Sequence, residues 1–288
     1  MAIHEQNYVS YDGPLDDGGG WWIFARATFG LAWSLKRTKL LLFLLWIPVL
    51  ITLGLVFVEY GVRENMPSLQ ALAGKGEEGL GAGAVTFVLQ MQFFSAALLM
   101  MASGCGAIAE DLRYRTFQLY FSRPVERWEY ILGKFLGISM LCSLVTVVPA
   151  VLIGGLRAAY FYRTDLAGPM IKQTLVGIVL SACIAAVVSS VVLGLSSLTR
   201  RTGYAVLGWI GVLFVPMVVA AIVGVASSGA DTANLTHLAG NFWLLSQGLL
   251  DPSPPDVPII APMLILVAVS GLALFGIRWR VHKLEGIA

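Results

Sequence analysis

Charge is the scarcest commodity in this sequence: Asp, Glu, Lys and Arg supply 12% of its 288 residues, where soluble domains carry roughly 25%. Six stretches lack all four residue types: Leu40–Val58, Gly79–Ala109, Phe135–Leu156, Gln173–Thr199, Thr202–Ala230 and Val257–Ile277. Each holds an apolar segment of about 19 residues or more, enough to cross a ~30 Å hydrocarbon core at ~1.5 Å per residue. The short alternating strands of a membrane β-barrel are missing. The expectation is an all-α integral membrane protein with six transmembrane helices.

Further absences exclude chemistry. A charge at the centre of a span costs roughly 2.5–3.5 kcal/mol, so it persists mainly where function needs it. Every Asp here falls in an expected loop or tail, as do His4, His237 and His282. An intramembrane aspartyl protease has no carboxylates, and a proton-driven carrier has no relay. A serine–histidine hydrolase would have only His237 as base, and Asn241, Ser246 and Asp251 stand near it at no recognisable spacing. Cys105, Cys142 and Cys183 fall one to a span with no CxxC or Cys/His cluster, so neither a disulfide framework nor a zinc site is indicated. The net charge of +2 is too small to argue for nucleic acid. No G-x-x-x-x-G-K-[ST] occurs; Gly74–Gly79 is a flexible Gly-rich loop. No cofactor is expected on this chain, and uphill transport would draw its energy from another polypeptide.

Residues 1–20 are polar, acidic and Gly-rich without an apolar core, and read as a disordered tail rather than a signal peptide. Residues 21–39 carry Trp22, Phe29 and Trp33 at helical spacing among Arg26, Lys36, Arg37 and Lys39. This suits a helix in the membrane interface in preference to a downward extension of the first span. Residues 40–280 form the six-helix domain, and residues 281–288 a C-terminal tail. Even span number puts both termini on one side. That side holds Arg26, Lys36, Arg37, Lys39, Arg113, Arg115, Arg123, Arg127, Lys134, Arg200, Arg201, Arg278, Arg280 and Lys283, fourteen basic residues, against Arg63, Lys75, Arg157, Arg163 and Lys172 opposite. The excess places the termini in the cytoplasm. The last outer loop contains Asn234–Leu250, apolar enough to lie on or dip into the outer leaflet. Pro48, Pro149, Pro216 and Pro262 fall within spans and are candidate hinges, although membrane helices also tolerate proline without moving. Gly177, Ser181, Ala185 and Ser189 repeat at four-residue intervals, a stripe suited to close helix packing within the subunit.

Between the second and third spans the chain reads AEDLRYRTFQLYFSRPVERWEYILGKFLG (Ala109–Gly137). Glu110 and Asp111 suit a helix start. Tyr114, Phe117 and Phe121 follow on one face, flanked by Arg113 and Arg115, with Thr116 and Tyr120 between them. Ser122-Arg123-Pro124 ends the helix. Gly133 and Gly137 open the third span as a GxxxG pair. By composition alone this short cytoplasmic helix serves equally as a docking anchor or as a surface resting on lipid.

The segment resembles the type-2 ABC transporter permease family, whose members carry an acid, a Gly-Thr, a short helix and a PVSR-like run leading to GK after their second span. Asp111, Thr116 and Arg123–Gly137 match; Arg115 stands where the family usually has glycine, which predicts an unbroken helix there. The resemblance implies a transport permease, exporting in most members, in a bacterial cytoplasmic membrane. It implies two P-loop ATPase subunits holding ATP and Mg, and a second permease subunit, identical or related. Glu110, Asp111, Arg113, Tyr114, Arg115, Thr116, Phe117, Tyr120, Phe121, Arg123 and Pro124 would form the coupling helix docked on the ATPase. A membrane scaffold or sensor that recruits an ATPase is the alternative, with the hydrolase third. The absence of charge within the spans fits an apolar or amphipathic cargo.

Overall fold

The computed structural model describes residues 19–65, 81–116, 120, 126–161, 167–227, 230–250 and 255–285. Among them every regular element is a helix: α1 Gly20–Ser34, α2 Lys36–Asn65, α3 Gly81–Ser103, α4 Ala109–Tyr114, α5 Arg127–Ser143, α6 Val147–Phe161, α7 Ala167–Leu198, α8 Thr202–Ser227, α9 Ala230–Asn234, α10 Leu238–Leu250 and α11 Ile260–Glu285. The N-terminal tail, the Gly-rich first loop and Phe117, Phe121, Arg123 and Pro124 lie outside the described residues.

Among the described residues four helices are long and apolar enough to cross a membrane: Lys36–Val58, Ala167–Leu198, Thr202–Gly224 and Ile260–Lys283. The pair α5–α6, bent by 42° at its break, makes a fifth if it is one span, and Phe87–Ser103 of α3 is a shorter apolar helix. The rest of the expected second span has another use. Its helix stops at Ser103, and residues 104–108 form a turn into α4. The outward faces of α2, α8 and α11 carry Phe43, Leu50, Leu207, Phe214, Leu272 and Phe275, all more than half exposed. So wide an apolar surface belongs against lipid.

α7 is the hub. Of its apolar window 61% is buried, against 11–17% for the other three long helices, and α3, α5, α6, α8, α10 and α11 all pack on it. The small-residue stripe explains how. Gly177, Ser181, Ala185 and Ser189 are all buried, and Ser181 Oγ donates to Gln92 Oε1 of α3 at 2.7 Å. Opposite, Gly154 of α6 comes so close that a Cβ there would lie 2.6 Å from Thr174 of α7. The stripe serves packing inside the subunit, as the spacing predicts.

Two expectations near the ends of the spans need correction. The N-terminal helix stops at Ser34, and Lys36–Lys39 belong to α2, because Leu35 turns to extended geometry. Arg157 is not in a loop. It lies in α6, 5% exposed, with Nη1 3.5 Å from Gln173 Oε1 of α7. A cation is therefore buried among the apolar helices, one turn from the end of α6, where the side chain still reaches polar partners.

The prolines divide into two kinds. Pro48 and Pro216 lie inside α2 and α8. Thr52 Oγ1 donates to the Pro48 carbonyl at 2.9 Å, and Thr236 Oγ1 to that of Pro216 at 3.2 Å. Pro149 and Pro262 occupy the third position of α6 and α11, a first turn whose N–H groups have no helical partner to lose. Pro149 still shapes the chain, because its ring bars the Val145 carbonyl from continuing the α5 ladder. The break at residues 144–146 falls there.

α10, from the apolar last loop, packs against α3, α7 and α11, with Phe242 5.8 Å from Phe93 between ring centroids. It packs inside the bundle, with Leu238, Phe242, Leu244 and Leu245 buried.

Candidate functional site

One end of the bundle gathers the polar residues: the start of α1, the turn 104–108, α4, the start of α5, and the ends of α7 and α11. Glycine permits the turn. A Cβ on Gly104 would lie 2.9 Å from Val192 Cγ1, so the backbone rests directly on α7. Ile108 precedes α4 without a side-chain cap of its own. The Ser196 hydroxyl, at the end of α7, fills that role by accepting from the N–H groups of Ile108 and Ala109 at 3.0 and 2.9 Å.

Asp111 is the centre of the cluster. Its Oδ2 lies 2.7 Å from Lys134 Nζ of α5, with side chains 13% and 6% exposed. The same oxygen accepts from the Tyr130 hydroxyl at 2.8 Å. Lys134 also donates to the Ala107 carbonyl at 2.9 Å, and its ammonium lies 5.7 Å from the centre of the Tyr130 ring. A charged pair this deep needs hydrogen bonds to spare, and every strong partner here comes from the turn, α4 or α5. Tyr120 closes the cluster, its ring 5.2 Å from Phe24 of α1 and 5.9 Å from Tyr130. Burial, and then the Asp111 carboxylate, push the Tyr120 phenol above its ordinary range, so it stays neutral.

α4 does not run on past Arg115, contrary to the expectation of an unbroken helix. Arg115 takes the left-handed conformation with φ 56° and caps the helix, its N–H bonded to the Asp111 carbonyl. Thr116 adds its own N–H and Oγ1 to that carbonyl at 3.1 and 3.3 Å. A left-handed residue other than glycine costs roughly 1–2 kcal/mol. The chain bends at Arg115 without a glycine there.

The site residues sort by side. Asp111, Thr116 and Tyr120 face inward and fix the segment. Glu110, Arg113, Tyr114 and Arg115 are exposed, with Arg113 5.4 Å over the Tyr114 ring. Several residues outside the expected set hold the scaffold. Glu129 joins two helix starts: Oε1 accepts from Gly20 N at 2.9 Å and Oε2 from Glu126 N at 3.2 Å, so one carboxylate caps α1 and α5. Glu126 and Glu129 form a capping box at the start of α5, although Glu126 stands where the sequence signature has Ser, Thr, Asp or Asn. Arg127 Nη1 reaches His282 Nδ1 of α11 at 2.7 Å. Nothing local marks Ser196 or the burial of Lys134.

At the far end, the described candidate partners of His237 bond to backbone carbonyls. Asn241 Nδ2 donates to the carbonyls of Leu235 and His237, both at 2.9 Å, and Ser246 Oγ to that of Trp243 at 2.8 Å. These side chains satisfy backbone at the α9–α10 corner, and Asp251 lies outside the described residues. Burial lowers the His237 pKa below 6.5, offset in part by a hydrogen bond to Ala233. A lowered native pKa means that the unfolded chain binds the proton more readily. This contribution to stability is whole above about pH 6.5 and is lost as pH falls through that value toward the lowered one. Acidifying from pH 7.5 to 5 should lower the unfolding temperature in detergent, and His237→Gln should remove part of that pH dependence. An identical slope in the variant would assign it to other groups.

The fold and the site together define a multi-pass helical membrane protein with a small exposed helix rigidly mounted at one end. The chain belongs to the ABC-2 transporter family: the family model described as "ABC-2 family transporter protein" matches residues 61–247, more than half of the sequence. It is a membrane subunit of the transporter class, a family that implies an ATPase partner. Among curated proteins, none matches the chain.

Proposed function

We propose that this chain is the permease subunit of an exporter driven by ATP hydrolysed on a separate subunit. In this reading six spans place both termini in the cytoplasm of a bacterium. α1 lies in the membrane interface, and two permease and two ATPase subunits make the working unit, with ATP and Mg held by the ATPases. The observation that carries it is the division of labour at α4. Its inward residues are locked to α5 and α7, while Glu110, Arg113, Tyr114 and Arg115 stand free to meet a partner. A helix held so firmly from behind transmits a push as a rigid body instead of yielding to it. A groove of about 730 Å³ between α3, α8 and α10, lined by Phe93, Phe94, Met101, Phe214, Met217 and Trp243 among others, supports an apolar or amphipathic cargo.

Phe117→Glu tests the docking. A carboxylate among the aromatic residues of the segment's sequence should abolish co-purification of the ATPase while the chain still inserts and accumulates in the membrane. Recovery of the ATPase at full stoichiometry would move the docking surface elsewhere. Cargo-stimulated ATP hydrolysis in vesicles separates a permease from a scaffold that only recruits the ATPase.

A further inference from the structure

We propose that Ser196 is the pin that joins the α4 segment to the central helix α7, so that a displacement of α4 is passed to α7 instead of being absorbed in the turn before it. The proposal rests on the docking reading above and adds the route by which docking would reach the spans. The Ser196 hydroxyl uses its full bonding capacity at one place. It donates to the Cys105 carbonyl at 2.8 Å and accepts from the N–H groups of Ile108 and Ala109 at 3.0 and 2.9 Å. Ser196, Cys105 and Ala109 are 0% exposed and Ile108 1%, so no water competes for these bonds. A hydroxyl offers one donor and two acceptor lone pairs, and all three are taken by a single turn.

Among the described residues no second side-chain hydrogen bond joins this turn to α7. Gly104 rests against Val192 of α7 by contact alone. From the other side, Lys134 grips the same turn at Ala107 and the same helix at Asp111, but Lys134 belongs to α5. The turn is thus clamped between two helices, with α5 holding through a charged pair and α7 through one oxygen atom. α7 packs on more of the other described helices than any other element does, so a motion delivered there re-seats α3, α6, α8, α10 and α11 together. A motion delivered to α5 alone meets the break at residues 144–146.

Ser196→Ala removes the hydroxyl at nearly constant shape, and Ser196→Thr keeps it. In the full chain in nanodiscs, amide exchange over residues 105–112 should be about tenfold faster in Ser196→Ala and close to wild type in Ser196→Thr. In the complex with its ATPase, a spin label at Leu175→Cys, on the exposed side of α7, reports motion of that helix, with the exposed Cys183 first replaced by Ala. A non-hydrolysable ATP analogue should shift the distance between labels on the two subunits in the wild type and in Ser196→Thr. In Ser196→Ala the shift should be lost although the ATPase still co-purifies in full. A shift that persists in Ser196→Ala overturns the proposal and leaves the hydroxyl as a helix cap. Absence of any shift in the wild type overturns the docking reading and this proposal with it.

Discussion

Lys134→Met should be the most damaging single substitution at the polar end of the bundle, lowering stability by about 3–5 kcal/mol. The size follows from what is left behind. Lys134 is 5% exposed, and removing its ammonium strands the Asp111 carboxylate, 13% exposed, with one hydroxyl donor and the first turn of α4. The Ala107 carbonyl loses its donor as well. Methionine fills the same space, so the loss reports charge and hydrogen bonding and not a cavity. The double variant Lys134→Met/Asp111→Asn removes both charges and should recover more than half of the loss. The cycle would show a coupling of ~2 kcal/mol or more, well beyond what exposed pairs reach. The check is the unfolding temperature of the four proteins of the cycle in one detergent. Additive losses would mean that the pair contributes as two separate groups, and that Asp111 is not the fixed point of the segment.

Gly137→Leu should detach the N-terminal helix. α1 crosses α5 at backbone distance: a Cβ on Gly137 would lie 2.6 Å from the Ala25 carbonyl oxygen and 2.8 Å from Thr28 Cβ. One on Gly133 would lie 2.4 Å from Phe24 Cβ and 2.5 Å from the Trp21 carbonyl. These neighbours are backbone or the base of a side chain, so no rotamer change relieves the clash. Overpacking a fitted interface costs roughly 1–3 kcal/mol, and here the helix can escape by lifting off. With it would go the Glu129–Gly20 bond and the burial of Ala25, Thr28 and Ala32. Trypsin should then cut at Arg26 and around Lys36 at least tenfold faster, an opening free energy smaller by about 1.4 kcal/mol. Gly30→Ala is the control. It sits on the same helix with nothing within 4 Å of its Cβ, and it should leave cleavage unchanged or slower, since alanine is the better helix former. Equal cleavage of all three proteins would mean that α1 is held by something other than the glycine contact.

Both cases mark how far the sequence could be read. Gly133 and Gly137 were recognisable as a close-packing pair, but their partner lies more than a hundred residues earlier in the chain. Nothing in a four-residue spacing names the helix that will fill it. Asp111 was recognisable as an acid suited to a helix start. Its pairing with Lys134 depends on α5 returning beside Asp111, which the intervening residues alone do not dictate. Arg115 was misread for a related reason. A helix runs on through arginine by propensity, and the left-handed cap is imposed by Thr116 and by the Tyr120 contact with Phe24 and Tyr130. Tertiary contacts outbid a local preference of about 1–2 kcal/mol. Arg157 was placed outside the bundle by charge, where its long stem and the Gln173 amide let it remain within.

By itself the sequence determined that this is a helical protein crossing a membrane several times. Where no charge occurs for about 19 residues the chain must bury its backbone bonds in helices, and several such stretches make a multi-pass membrane protein. Those outcomes depend on the side chains of one segment and the medium around it, and composition records both. Only the tertiary structure decided which helices touch and which polar atoms meet. It made α7 the hub, gave Asp111 its lysine and set Ser196 beneath α4. Such pairings join residues far apart in the chain, and their energies come from fitted shape and hydrogen-bond geometry that no single segment contains.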